Sequence, residues 1–144
     1  MDRIAPQVGR PVVLQAGTYA FTPRNCEYFD FSDDLDGYLD RAWLVVTHGG
    51  YTLLELIKAR RQFLVFPRLA AHGEHSNDHQ LEFALKLREQ LNLDYPVVTD
   101  AGKLLEAIAA FRPIAYGNLR ATLPELQAHL QGFLEGVRRA GVGP

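Results

Sequence analysis

Short apolar stretches rich in β-branched and aromatic residues alternate along this chain with longer segments whose apolar positions recur every three or four residues. The first pattern predicts strands over residues 12–15, 27–31, 43–47, 63–66 and 96–99. The second predicts helices over residues 34–41, 52–61, 80–91, 101–111 and 123–140. Punctuation residues agree with these bounds. Asp33, Asp34 and Asp36 read as an acidic helix start, and Asp100 stands where it can cap a helix that begins at Ala101. Thr122 followed by Pro124 reads as a cap with Pro in the first turn. Arg60-Arg61 and Arg138-Arg139 complement helix C-termini, while Pro67 closes one strand and Pro96 opens the next.

Strands that read as continuous apolar runs, separated by helices, predict an α/β fold with a parallel sheet and helices on both faces. Right-handed crossovers then leave few topologies. No repeat, low-complexity tract or linker interrupts the pattern, so residues 1–144 are expected to form a single domain. The last predicted helix, at about 122–140, aligns Leu123, Leu126, Leu130, Phe133, Leu134 and Val137 on one stripe. That stripe either packs on the domain's own sheet or docks a partner.

Composition narrows the function classes. With 47% hydrophobic and 22% charged residues the chain has the make-up of a soluble globular protein. Fifteen basic and seventeen acidic side chains give a net charge of -2, which leaves no electrostatic case for nucleic acid. Cys26 is the single cysteine, so no internal disulfide forms, and a reducing cytoplasm fits. No apolar run is long enough for a membrane span, and residues 1–11 lack a signal-peptide core. The expected location is the cytoplasm, with any attachment to the inner membrane face made through a partner.

Candidate chemistry concentrates at two places. The predicted strand 43–47 runs into His48-Gly49-Gly50-Tyr51-Thr52, with Glu55 one turn into the next helix. In an open parallel sheet, ligands bind beyond the carboxyl ends of the strands, where loops lead into helices. Helix N-terminal amides and the helix dipole favour an anion there, and Gly lets backbone approach it. Thr52 can offer a hydroxyl to a phosphate, and Glu55 can accept both hydroxyls of a ribose. The same residues also suit a plain strand-to-helix turn, with Thr52 as cap and Glu55 solvated, so both readings stand at this point.

The second place is the polar run Pro67-Arg68-Leu69-Ala70-Ala71-His72-Gly73-Glu74-His75-Ser76-Asn77-Asp78-His79-Gln80, which follows the fourth predicted strand and so belongs at the same sheet edge. Loops this long and polar tend to carry function. Zinc held by His72, His75 and His79 is one reading, although the spacing matches no standard helical pair. Hydrogen bonding to a sugar suits Asp78, His79 and Gln80 better, because they supply both donors and acceptors. Cys26 has no base beside it in sequence and reads as a structural thiol. Walker, Ser-His-Asp and paired-Cys signatures are missing from the sequence.

Taken in order, Thr47-His48-Gly49-Gly50, Glu55, Phe66-Pro67-Arg68 and the run from Gly73 to Glu82 resemble family-28-type glycosyltransferases. The narrower similarity is to small single-domain subunits related to the C-terminal, donor-binding half of the peptidoglycan lipid-intermediate N-acetylglucosaminyltransferase. Those include the catalytic subunit of the dolichol-linked N-acetylglucosaminyltransferase and bacterial exopolysaccharide glucuronosyltransferase subunits. Asn25-Cys26-Glu27 before an aromatic strand is similar to the same group, and the resemblance spans about residues 11–108.

The resemblance implies a Rossmann-like half of a GT-B enzyme that takes a UDP-sugar donor with no metal and no cofactor. His48 would be the catalytic residue. Donor binding would fall to Gly49, Gly50, Thr52, Glu55, Arg68, Glu74, His75, Asp78, His79 and Gln80. Among these, the loop to Thr52 would meet the diphosphate, Glu55 the ribose, and His79 with Gln80 the transferred hexose. The acceptor would be a lipid-linked glycan in polysaccharide biosynthesis, brought with the general base by a membrane-anchored partner subunit.

Two departures from the family pattern are visible. His48 and Glu55 stand seven positions apart, one fewer than the family usually has. Family members also begin with a strand and a Gly-Thr turn ahead of a segment resembling Asp2-Arg3-Ile4, so the fold is expected to lack its first strand. The alternatives are a non-catalytic nucleotide-sugar-binding or scaffold subunit and a zinc-dependent hydrolase.

Overall fold

The computed structural model describes residues 1–17, 21–69 and 79–119, together with Glu125, Ala128, Gln131 and Gly132. Two units divide the chain: Met1–Ala42 with Asp100–Phe111, and Trp43–Thr99 with Arg112–Pro144. Each contains a two-stranded parallel sheet, so the predicted α/β architecture takes the form of mixed helices with two small parallel sheets.

The first unit opens with an element that the apolar pattern did not predict, a 3-10 helix at Asp2–Gln7. Its Asp2 carboxylate gathers a distant turn: Oδ1 accepts from the Arg24 amide at 3.0 Å and the Asn25 amide at 2.8 Å, and Oδ2 from the Asn25 side chain at 3.3 Å. Bonds from the Asn25 amide hold the Asp2 carboxyl below its ordinary pKa. The Cys26 thiol also points at Asp2, 3.7 Å away, and burial followed by the Asp2 carboxylate pushes its pKa up. A thiol held protonated in this way fits the structural reading of Cys26.

Strand β1 (Val13–Gln15) pairs in parallel with β2 (Glu27–Phe29), Leu14 opposite Tyr28. Helix α1 (Leu35–Arg41) begins where the acidic run predicted, with the Asp34 carboxylate accepting from the Gly37 amide at 3.1 Å. Its Tyr38 ring stacks on Phe29 at 4.3 Å between centroids, and the Arg41 guanidinium covers the Tyr38 ring at 5.1 Å. The helix predicted over 101–111 starts as a 3-10 turn, Ala101–Lys103, and becomes an α-helix, α4 (Leu104–Ala109). Asp100 causes the tighter start. Its side chain accepts from Gly102 at 2.8 Å while its carbonyl accepts from Lys103.

In the second unit β3 (Val45–Thr47) pairs in parallel with β4 (Phe63–Val65), Thr47 opposite Val65. On the other side of β4, Val65 forms a parallel bridge with Val97. The strand predicted over 96–99 thus contracts to this one bridge, because Pro96 has no N–H to give a ladder. All three residues of β4 are buried, as its unbroken apolar sequence demands.

Helix α2 (Tyr51–Lys58) buries Leu53, Leu54, Leu56 and Ile57, and α3 (His79–Gln90) buries Phe83, Ala84 and Leu87. The α2 prediction ran three residues too far. At its end Arg60 adopts φ 53°, Arg60 N donates to Ile57 O and Arg61 N to Leu56 O, a Schellman turn. Asn92, with φ 50°, ends α3 by the same pattern of bonds to Glu89 and Arg88. Tyr95 lies in the core with its ring 4.9 Å from Phe63 and its hydroxyl donating to the Ala84 carbonyl at 2.6 Å.

A returning segment is fastened to the turn between α2 and β4. The Ile114 amide donates to Gln62 Oε1 at 2.6 Å, and the Tyr116 hydroxyl donates to the Arg61 carbonyl. A 3-10 helix, Tyr116–Asn118, follows. Of the predicted C-terminal helix, Glu125, Ala128, Gln131 and Gly132 are described, helical and exposed. Its apolar stripe lies outside the described residues.

Candidate functional site

The site is assembled at the carboxyl ends of β3 and β4. Because the two strands are parallel and in register, Thr47 and Val65 end side by side and both chains leave the sheet at one edge. An open cleft there is lined by Val46, Thr47 and His48 from the first strand end and by Phe66, Pro67 and Arg68 from the second. His48 and Arg68 are exposed at its rim. Thr47 is a buried polar residue, and its hydroxyl accepts from the Gly49 amide at 3.3 Å. That bond folds the loop back onto the strand end.

The two glycines are required by the backbone they adopt. Gly49 is buried with φ 100°, and Gly50 has φ 67° and ψ -145°. Residues with a Cβ are strained in both conformations. Gly50 is the N-cap of α2, and its carbonyl receives the first helical bond, from Leu53 N at 3.2 Å. The turn therefore swings the chain straight from β3 into α2. Amides at a helix start have no carbonyl within the helix to bond to and suit an anion. Thr52 belongs to the first helical turn and is not the cap, which corrects the alternative reading of it.

Glu55 lies one turn on, on the solvent side of α2. Its carboxylate is 3.9 Å from Lys58 Nζ, and its hydrogen bonding and charge push the exposed Tyr51 phenol above its ordinary pKa. His79, the first residue of α3, has Nδ1 3.6 Å from Glu82 Oε2. Gln80 is the second residue, and its Oε1 accepts from the Arg68 amide at 3.0 Å. The backbone carbonyl of Gln80 also approaches Gly49, since a Cβ placed on that glycine would lie 3.9 Å from it. The structure thus brings Gly49, Arg68 and Gln80 into one neighbourhood. Glu74, His75 and Asp78 lie outside the described residues, as does His72 of the zinc reading. Among the described residues, no group of three or more metal-ligating side chains is found.

Thr47, Tyr51, Phe66 and Pro67 stand within the motifs read from the sequence but receive no site role there, and Val46 reads only as part of a strand. A hydroxyl two residues before a Gly at a strand end was the available signal for Thr47, and i,i+4 spacing to Glu55 was the signal for Tyr51.

The glycosyltransferase family 28 C-terminal domain matches residues 6–114, most of the chain and all of the site just described. The chain belongs to this family. Neither the curated proteins nor the solved structures include a significant match. Membership agrees with the fold, since a family 28 C-terminal domain is a Rossmann-like half of a GT-B enzyme and the small parallel sheets fit it. It also sets the function class as glycosyltransferase. The matched span is slightly longer than the resemblance read from motifs and stops short of the predicted C-terminal helix. Among the described residues no helix is long and apolar enough to cross a membrane.

Proposed function

We propose that the chain is the donor-binding part of a UDP-sugar-dependent hexosyltransferase, with the diphosphate seated in the cleft between His48 and Arg68. The observation that carries this reading is the cleft at the carboxyl ends of β3 and β4, rimmed by the exposed donors His48 and Arg68, with the Gly49–Gly50 turn leading from it directly into α2. In this reading Glu55 accepts hydrogen bonds from the ribose hydroxyls. His79 and Gln80 would bind the hexose, with Glu74, His75 and Asp78 as further donor-binding residues. The acceptor hydroxyl attacks the anomeric carbon, the bond from that carbon to the diphosphate oxygen breaks, and its electron pair leaves with UDP. The α2 amides, His48 and Arg68 stabilise the charge that develops on the leaving group. The hydroxyl's proton passes to a base supplied with the acceptor, which we take to be a lipid-linked glycan presented by a membrane-anchored partner subunit. In this reading the chain would work like the small donor-binding subunits of the dolichol-linked and exopolysaccharide transferases.

Heating the protein with millimolar UDP tests the reading. UDP should raise the melting temperature, and Glu55→Ala and His48→Ala should each remove most of that rise. No shift with UDP would sink it. A transfer assay over a panel of UDP-sugars, with and without the partner, then separates an enzyme from a scaffold: the proposal requires turnover with at least one donor when the partner is present.

A further inference from the structure

Gln80 reaches from the head of α3 back to the exit of β4, a contact that its sequence position does not imply. Phe66 N donates to Thr47 O at 2.7 Å and completes the ladder; Pro67 has no N–H. The Arg68 amide is therefore the next donor along the chain, and Gln80 Oε1 accepts from it at 3.0 Å. Since the donor is a backbone N–H, the carbonyl end of the Gln80 side chain must face it. The main-chain carbonyl of the same residue would lie 3.9 Å from a Cβ placed on Gly49, in the loop that leaves the other strand. One residue thus neighbours the chain where it leaves both strands.

Resting on the reading of this cleft as the diphosphate site, we infer that Gln80 is a positioning residue for Arg68. It fixes the backbone from which the guanidinium is presented to the leaving diphosphate. A side chain that met only the hexose would leave binding of UDP itself untouched. A positioning role reaches UDP, which carries no hexose, and spares uridine, which carries no phosphate.

Titration of the full chain with UDP and with uridine, followed by NMR, tests the inference. Gln80→Ala should weaken UDP binding by about three- to tenfold, the range expected for one lost hydrogen bond, and leave uridine binding unchanged. In an Arg68→Ala background Gln80→Ala should add no further loss. Gln80→Met, which keeps the volume and cannot accept, should behave like Gln80→Ala and serves in its place if the smaller side chain impairs folding. Unchanged UDP affinity, equal losses for UDP and uridine, or additive losses with Arg68→Ala would each overturn the inference while wild-type binding keeps the diphosphate reading intact. If the wild-type chain does not bind UDP, both fall.

Discussion

Gly50→Ala isolates the cost of one backbone conformation. A Cβ at Gly50 would meet nothing within 4 Å, so no clash contributes. What remains is the pair φ 67° and ψ -145°, a region that residues other than Gly occupy only under strain. Such strain costs about 1–3 kcal/mol. Alanine also narrows the unfolded ensemble, which returns about 0.4–1 kcal/mol. The net loss should be about 1–2 kcal/mol, or about 3–8 °C in melting temperature for a chain of this length.

Gly50→Asn provides the control. Asparagine tolerates left-handed backbone with ψ near +47°, but not the ψ of Gly50, so it should be no better than alanine. Urea unfolding of the three proteins, with UDP titration on each, reads both stability and the aim of the α2 amides. Two results would refute the reasoning: an unchanged midpoint for Gly50→Ala, or recovery by asparagine. Either would mean that the turn relaxes into ordinary backbone without consequence for the helix start.

Two further outcomes follow from the second unit. Arg60→Gly should stabilise the chain by about 0.5–1 kcal/mol, because Arg60 already sits at φ 53° in a Schellman turn where glycine has no Cβ penalty; urea midpoints with unchanged slope would show it. Tyr95 makes stability fall at alkaline pH. Burial raises its phenol far above the ordinary value near 10, so the neutral form favours the folded state below that pH, and the contribution is lost as pH rises and the unfolded phenol ionises. Urea midpoints measured from pH 8 to 11 should decline, and Tyr95→Phe should flatten the decline at the expense of the bond to Ala84.

What the sequence disclosed was local or strongly periodic. The buried run of β4, the apolar face of α2, the acidic helix start around Asp34 and the cap at Asp100 each follow from neighbouring residues alone, and the structure keeps them. The His48-Gly49-Gly50 corner was legible for the same reason, since two glycines between an apolar strand and an amphipathic helix admit few conformations. The losses are of two kinds. Arg60 hides a helix end because it occupies a position where glycine would have announced it. Asp2 and Gln80 act over 23 and 12 residues of separation, through bonds to Asn25 and Arg68, and no periodicity encodes contacts of that range. The 3-10 helix Asp2–Gln7 escaped because it is too short and too polar to carry a repeat.

Both units are discontinuous in sequence, with chain passages at 42/43, 99/100 and 111/112. This has a bearing on how the protein can be dissected. A fragment ending at residue 99 would strip the first unit of α4 with its buried Leu104 and Ile108, and the second of the Gln62–Ile114 and Arg61–Tyr116 fastenings. A fragment starting at residue 43 would keep those fastenings but carry α4 as an orphan. Minimal expression fragments should therefore run from Met1 through at least Tyr116, and reporter insertions belong elsewhere than at the three passages.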